Sequence, residues 1–212
     1  MSDRAWLLAI DTSSDWSGVA LTNGGEWAEL NWSSGRRQTT QVLPEIERLL
    51  ARMDIAIGDV GAIAVATGPG SFSGLRVGLS LAKGFALAAG RPVIGVSTLA
   101  AAHYGWTELG LPVFAVVRAG RNQYVWGQHA ALPDLHSGEI ADLMAGVPAG
   151  AVIVGELDAA AAGALITRGC IVPDEPARRR RASALAAIGW RRWRAGEVDD
   201  PATLEPHYFH QS

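Results

Sequence analysis

The segment 62–90 constrains the fold of this chain most, because it joins a buried strand to a helix through a glycine-rich turn. Residues 62–67 form a short apolar run with β-branched side chains, which is typical of a strand covered on both faces. The Gly-Pro-Gly sequence at 68–70 ends this strand, and Ser71 can cap the helix that follows. The pattern predicts an α/β fold in which a helix start faces the carboxyl end of a strand, where such folds bind anions.

The turn matches neither of the common nucleotide-binding motifs. No Lys follows Gly74, as a Walker loop requires, and the glycines miss the G-x-G-x-x-G spacing by one residue. The candidates for an anion site are Asp11, at the end of the first predicted strand, together with Ser13, Gly70 and Ser71. The alternative is that Asp and Ser stand in these turns because they satisfy nearby backbone groups.

Composition limits the class of protein and its partners. The 212 residues, 49% of them hydrophobic, suffice for one large core or two lobes. A net charge of −3 gives no overall attraction to nucleic acid or to an anionic membrane. Cys170 is the only cysteine, so no disulfide within the chain is expected and a reducing, cytoplasmic location is predicted. No apolar run approaches the roughly 18 residues of a membrane-spanning helix, so no membrane association is expected.

Hydrophobic periodicity predicts two units of mixed strands and helices. The first unit is assigned to residues 1–104 and the second, smaller unit to residues 105–212. The predicted strands are 6–11, 18–22, 26–32, 62–67, 92–96, 113–117, 124–130, 152–155 and an edge strand at 171–173, and the predicted helices cover 39–52, 71–90, 99–104, 158–167 and 182–194.

Small residues line one face of the central helix. Gly74, Gly78 and Ala82 recur every fourth position, and each interior glycine costs about 0.5–1 kcal/mol relative to alanine. A close contact must offset this cost, either with the chain's own sheet or with a partner. Since the neighbouring helix at 39–52 is amphipathic, the pair predicts a helical interface around a twofold axis. Its expected residues are Val42, Ile46, Leu49, Leu50, Gly74, Leu75, Gly78 and Ala82.

Three segments carry a resemblance to a known family. They are LLAIDTSSDWSGVAL near the amino end, GPGSFSGLRVGLSLAKGFALAAGRPVIGVSTL in the centre and LEPHYF near the carboxyl end, and together they resemble the bacterial TsaB (YeaZ) family. The resemblance implies an actin-like ATPase fold with two lobes of ribonuclease-H-like topology. It also implies an accessory role in forming N6-threonylcarbamoyladenosine at position 37 of tRNAs that read ANN codons.

The resemblance implies partners as well. It suggests binding to a TsaD-type catalytic subunit and a TsaE-type ATPase, with a homodimer through the same helices when TsaD is absent. Contact with tRNA is expected to be indirect, through the catalytic partner.

Several residues depart from the pattern of the family that the chain resembles. Gln38 stands where family members often have a histidine, and Arg118 and Gln123 stand where the family usually has two acids, Asp and Glu. No His-x-x-x-His pair is present to bind a metal on one helix face. We therefore predict a non-catalytic subunit with no metal and no cofactor. The alternative is an independent ATP-dependent kinase or ATPase that uses Asp11. The five histidines of the chain, no two of which are four positions apart, are His103, His129, His136, His207 and His210.

One local cluster combines basic and aromatic residues. It comprises the arginines at 178–181 and the Trp-Arg-Arg-Trp-Arg sequence at 190–194. Arg and Trp together suit RNA phosphates and base stacking, or the centre of a protein interface. The alternative is a solvated helix face that nearby acids neutralise, and the sequence leaves both interpretations open.

Overall fold

The structure is a computed structural model that describes residues 5–35, 37–120, 122–128 and 135–208. It contains two mixed β-sheets, each with helices on both faces. The first sheet is built from β1 (Trp6–Asp11), β2 (Trp16–Thr22), β3 (Trp27–Ser33), β4 (Val60–Gly68) and β5 (Val93–Ser97), and the second from β6 (Val113–Arg118), β7 (Tyr124–Gly127), β8 (His136–Gly138) and β9 (Val152–Gly155). The helices are α1 (Gln38–Arg52), α2 (Phe72–Ala89), α3 (Thr98–His103), α4 (Ile140–Gly146), α5 (Ala159–Thr167), α6 (Glu175–Arg178) and α7 (Ala182–Arg194), with short 3₁₀ turns at Ile57–Asp59 and Thr107–Leu109.

The two sheets share a strand order. The first runs β3-β2-β1-β4-β5 and the second runs β8-β7-β6-β9, so the second repeats the order of the first four strands. In each sheet, three antiparallel strands are followed by a parallel partner of the first. The sequence showed this repetition only loosely, because β8 and α4 are short and were not predicted.

Alternation along the strands directs side chains to two separate cores. On β1, Leu8 and Ile10 face α1 and α2, whereas Leu7 and Ala9 face α7. The α7 side of the first sheet carries small residues, and a Cβ added at Gly189 of α7 would lie 2.5 Å from the Cβ of Ala64. The helix backbone therefore lies very close to β4. The prediction that β4 is covered on both faces is confirmed.

The packing of α7 corrects the predicted division at residue 104. Although α7 follows the second sheet in sequence, its Leu185 and Trp193 are buried against the first sheet. Conversely, Leu99 and Ala102 of α3 pack on the second sheet. The reason is that each apolar sheet face must be covered by a helix, and the nearest helices in space are not the nearest in sequence.

Two further observations concern the periphery of the fold. The predicted edge strand at 171–173 is reduced to one bridge between Ile171 and Val152. Within the described ranges, no helix is both long enough and apolar enough to cross a bilayer.

Candidate functional site

A cleft of about 1010 Å³ lies between the two sheets. The first lobe contributes the turn after β1 and the start of α2, including Ser13 and Ser71. The second lobe contributes the ends of β6 and β9, including Arg118 and Glu156. Three of the four anion-site candidates, Ser13, Gly70 and Ser71, line this cleft. Asp11 is not part of the lining and lies behind Ser13, to which it is hydrogen-bonded.

Asp11 is buried at the end of β1 and its carboxylate is fully engaged. One oxygen, Oδ1, accepts hydrogen bonds from the Ser13 backbone N–H at 3.0 Å and from the Ser13 hydroxyl at 2.6 Å. The other oxygen, Oδ2, accepts from Arg180 Nε at 2.5 Å. Since the Asp11 residue is 4% exposed, its carboxylate points at protein groups rather than into open solvent.

Arg180 is the central residue of this site, whereas the sequence indicated it only as part of a basic cluster suited to RNA or to a protein interface. Its Nη1 donates to Glu156 Oε1 at 2.9 Å and its Nη2 donates to the Ser13 hydroxyl at 2.6 Å. Burial alone lowers the pKa of Arg180, but the charges of Asp11 and Glu156 outweigh burial and raise it, so the guanidinium stays protonated. Because Asp11 belongs to the first lobe and Glu156 follows β9, Arg180 joins the two lobes.

The four arginines at 178–181 differ in burial, which the sequence does not show. Arg178, the last residue of α6, and Arg180 are buried, whereas Arg181 is exposed and Arg179 is half-buried. The backbone is extended at Arg179 and Arg181, and successive side chains of an extended segment point to opposite sides. A run of four identical residues gives no sign of which of them face inward. Arg178 donates to the carbonyl of Leu157 at 2.8 Å.

The other two anion-site candidates lie beside Ser13. The Ser71 hydroxyl accepts from the Gly74 N–H at 3.3 Å, which confirms the predicted cap, while its own N–H donates to the Ser13 carbonyl at 2.6 Å. A Cβ at Gly70 would collide with that carbonyl. The structure thus brings all four candidates together, but their polar atoms are largely bonded to one another. Anion binding by them stays a prediction.

The segments that carried the family resemblance also meet here. The His207 N–H donates to the Thr67 carbonyl at 2.7 Å, and Arg76 Nε donates to the Tyr208 hydroxyl at 3.0 Å. The rings of Tyr208 and Phe72 have centroids 4.7 Å apart. The closing segment therefore covers the turn between β4 and α2. Its last residue, Phe209, lies outside the described residues.

The residues that depart from the family pattern have structural contacts. Gln38 is buried and its Nε2 donates to the Ser14 carbonyl at 3.2 Å. The Arg118 side chain is exposed, and its backbone N–H donates to Glu156 Oε2 at 3.1 Å. In the described part of the chain, no three His, Cys, Asp or Glu side chains are grouped as metal ligands are. His129 and His210 lie outside the described residues, as does Arg121.

The predicted interface of α1 and α2 is corrected by the burial of its residues. A Cβ on Gly74 would collide with the Thr12 carbonyl oxygen, and one on Gly78 would collide with the Thr12 hydroxyl. The glycine-lined face therefore packs on the chain's own β-sheet. The spacing of the glycines had left open whether this face contacts the chain's own sheet or a partner. The residues that are buried in this way are Val42, Ile46, Leu49, Leu50, Gly74, Leu75, Gly78 and Ala82.

The opposite face of α2 carries small and apolar residues, of which Ser80, Gly84 and Leu87 are exposed, while Val77 is half-buried at the edge of the cleft. Val77, Ser80, Gly84 and Leu87 follow one another at helical spacing, and we call them the outer stripe of α2. Among the described residues, no atom outside the helix's own adjacent backbone lies within 4 Å of a Cβ added at Gly84, and Leu87 is 87% exposed. Sequence reasoning chose the wrong face because both faces of this helix contain small residues.

Comparisons with known proteins agree with one another. A family model described as "TsaD: tRNA N6-adenosine threonylcarbamoyltransferase" matches residues 33–146, more than half of the chain. The Haemophilus influenzae tRNA threonylcarbamoyladenosine biosynthesis protein TsaB is 39% identical over 58% of this chain and 52% of its own length. The Escherichia coli protein of that name is 36% identical over 58% of this chain and 54% of its own length.

A solved structure extends the likeness to nearly the whole chain. YeaZ from Pseudomonas aeruginosa has a TM-score of 0.76 and 25% sequence identity, and the match covers 97% of this chain and 100% of that one. This confirms the predicted actin-like, ribonuclease-H-like fold with two lobes. In sequence, however, the chain aligns with only about half the length of the curated relatives that it matches.

Proposed function

Because the chain belongs to the TsaB (YeaZ) family, we propose that it acts as a non-catalytic subunit in tRNA threonylcarbamoyladenosine biosynthesis. In this role it supports a TsaD-type catalytic subunit in forming N6-threonylcarbamoyladenosine at position 37 of tRNAs that read ANN codons. A TsaE-type ATPase completes the assembly, and the chain forms a homodimer when the catalytic subunit is absent.

The salt bridge between Arg180 and Asp11 carries the non-catalytic part of this proposal. In an actin-like enzyme, a carboxylate at the end of the first strand would serve a metal-bound nucleotide. Here both oxygens of Asp11 bind Ser13 and Arg180 inside the protein. A ligand could use Asp11 only by displacing a buried guanidinium that also holds Glu156, which would be costly. The same contact disfavours the rival function, an independent ATP-dependent kinase or ATPase.

The outer stripe of α2 is our proposed docking surface for the catalytic subunit. A helix face of small residues lets a second helix approach closely, and the exposed Leu87 would gain apolar burial on association. The first lobe thus keeps its predicted role of providing a helical interface, but this interface uses the outward face of α2 rather than the inward face.

Reconstitution tests the proposed function directly. The purified chain is mixed with the TsaD-type and TsaE-type proteins of its own genome, unmodified tRNA, threonine, bicarbonate and ATP, together with the enzyme that supplies the activated threonylcarbamoyl group. We expect the modified nucleoside to form only when this chain is present. Full activity in its absence would overturn the proposal.

A further inference from the structure

A second pocket, of about 360 Å³, is lined by residues of α3 and α7 and by Trp27 of β3. Its buried lining residues are mostly alanines, among them Ala101, Ala184 and Ala187. Its exposed lining residues include Trp27 and Tyr104, which are 45% and 41% exposed. A small apolar floor between partly exposed aromatic rings suits a flat, aromatic guest.

The surroundings of this pocket are cationic. Arg179 and Arg181 contribute to its lining, and no Asp or Glu of the described residues does. Arg191 stacks on Tyr104, with its guanidinium carbon 5.4 Å from the ring centroid. Arg179 and Arg181 are partly neutralised by Glu175 and Glu29, but no carboxylate in the described ranges forms an ion pair with Arg191 or Arg194. A guest with an anionic group would supply the missing charge.

The cationic surface continues from the pocket along α7. Ala184, Ala187, Arg191 and Arg194 occur at positions i, i+3, i+7 and i+10, and so follow one helix face. Arg194 in turn lies 5.7 Å from the ring centroid of Trp190. From Ala187 to Arg194 the helix rises about 10 Å, so the second pairing of an arginine with an aromatic ring lies well beyond the pocket.

We propose that this surface binds a single-stranded nucleic acid. One unpaired base stacks in the pocket against Trp27 and Tyr104, and the phosphates that follow contact Arg191 and Arg194. The length of the surface favours a strand over a free nucleotide, which would use only the pocket. The site goes beyond the proposed function, since it assigns a direct nucleic-acid contact to this chain in place of the indirect contact expected from the sequence.

Fluorescence anisotropy with the isolated chain tests the site. The probes are a labelled single-stranded octamer of RNA, the DNA octamer of the same sequence, the RNA octamer in a duplex, and AMP as competitor. We expect the single strands to bind more tightly than the duplex, in which the bases are already stacked. Trp27→Ala should weaken binding at least about fivefold, through loss of a stacking contact.

The double variant Arg191→Ala/Arg194→Ala provides a second readout. It should flatten the slope of log K against log salt by about 1.4, since each phosphate contact on a single strand contributes about 0.7. Arg52→Ala, which removes an exposed arginine from the end of α1, is the matched control and should leave the slope unchanged.

Several outcomes would overturn the proposal. One is that neither octamer binds, and another is that Trp27→Ala binds the RNA octamer as tightly as the unmodified chain does. A third is that the duplex binds as tightly as the single strands, and a fourth is that AMP competes with an affinity equal to that of the RNA octamer. Capture of an acidic aromatic peptide in place of the octamers would assign the pocket to a protein partner instead. Partner proteins are absent from this binding assay. A negative result here would therefore leave the proposed function untouched, because the reconstitution tests that function separately.

Discussion

At the scale of single residues, the arrangement around Arg180 decides what the cleft can do. One buried guanidinium bonds to Asp11, Ser13 and Glu156 and so neutralises the acids that a reactive cleft would present to a ligand. Buried ion pairs add little stability compared with apolar packing, but removing one partner leaves a buried charge without compensation. The integrity of this cleft therefore depends on all its members.

Replacing Arg180 should show this dependence. Arg180→Gln leaves Asp11 buried without its cation, and we expect a loss of about 3–5 kcal/mol in the free energy of unfolding. The neighbouring Arg181, whose side chain is 68% exposed, is the matched control, and Arg181→Gln should cost about 1 kcal/mol or less. Urea denaturation measures both. Similar losses for the two variants would contradict the network described here.

A second residue-scale prediction concerns pH and Glu29. Burial by itself raises the pKa of Glu29, but hydrogen bonds from Arg181 and Ser183 outweigh it and hold the pKa below its ordinary value of 4.5. The depressed pKa contributes stability above the unfolded pKa, and this contribution is lost as the pH falls below about 4.5.

Glu29→Gln should therefore lower the stability of the chain at pH 7. The stability of this variant should also decline less steeply than that of the unmodified chain as the pH falls from 5 to 3. Thermal unfolding across this range is the measurement. Glu47→Gln, on the exposed face of α1, is the control and should decline like the unmodified chain. An unaltered decline in Glu29→Gln would show that the ion pair with Arg181 does not act on stability.

At the scale of elements, α2 has two unlike faces. The inner face lies against the turn after β1, where the Thr12 hydroxyl donates to the Gly74 carbonyl at 2.7 Å. The outer face has open space at Gly84. Gly74 and Gly84 therefore differ, since a close approach of the Thr12 carbonyl requires glycine at position 74, whereas position 84 has room for a Cβ.

Alanine substitutions should separate the two faces. Gly84→Ala should raise the free energy of unfolding by up to about 1 kcal/mol, because alanine favours the helix and nothing obstructs its Cβ. Gly74→Ala should lower it by about 1–3 kcal/mol, because its Cβ collides with the Thr12 carbonyl oxygen. Chemical denaturation followed by circular dichroism measures both. Stabilisation by both variants would mean that α2 is displaced from the sheet.

At the scale of the whole molecule, two similar sheets are held together by elements that cross between them. Arg180 bonds to both lobes, α3 packs on the second sheet and α7 returns to the first. These crossings leave the outer stripe of α2 and the pocket beside α7 on different surfaces, so one copy of the chain has two separate places to contact other molecules.

Leu87→Arg tests the proposed docking surface. Leu87 is 87% exposed, so the variant should fold normally, while an arginine in an apolar contact should reduce binding to the TsaD-type subunit at least tenfold. Leu109→Arg makes the same change at a residue that is 51% exposed elsewhere, and should bind normally. Sedimentation or calorimetry with the purified partner gives the affinities. Normal binding by Leu87→Arg would place the interface elsewhere.

Much of the fold could be predicted because the signals were local. The bounds of β1 and α7 match the predicted ranges, and the cap at Ser71 forms as predicted. Ser97 and Asp158 cap their helices in the same way, each side chain accepting a hydrogen bond from a backbone N–H of the helix that follows. The site was harder to predict. Asp11 and Arg180 are separated by 169 positions in the chain, and no periodic pattern connects residues so far apart.

The sequence by itself determined the secondary structure of the first lobe, the glycine-rich turn and the family, because turn residues, caps and apolar periodicity act over a few neighbouring positions. Only the tertiary structure decided which face of α2 is buried, which arginines of the run 178–181 enter the cleft, and that α7 covers the first sheet. Each of these depends on which surfaces remain uncovered once the strands have paired, and that is a property of the assembled sheets rather than of any local stretch of chain.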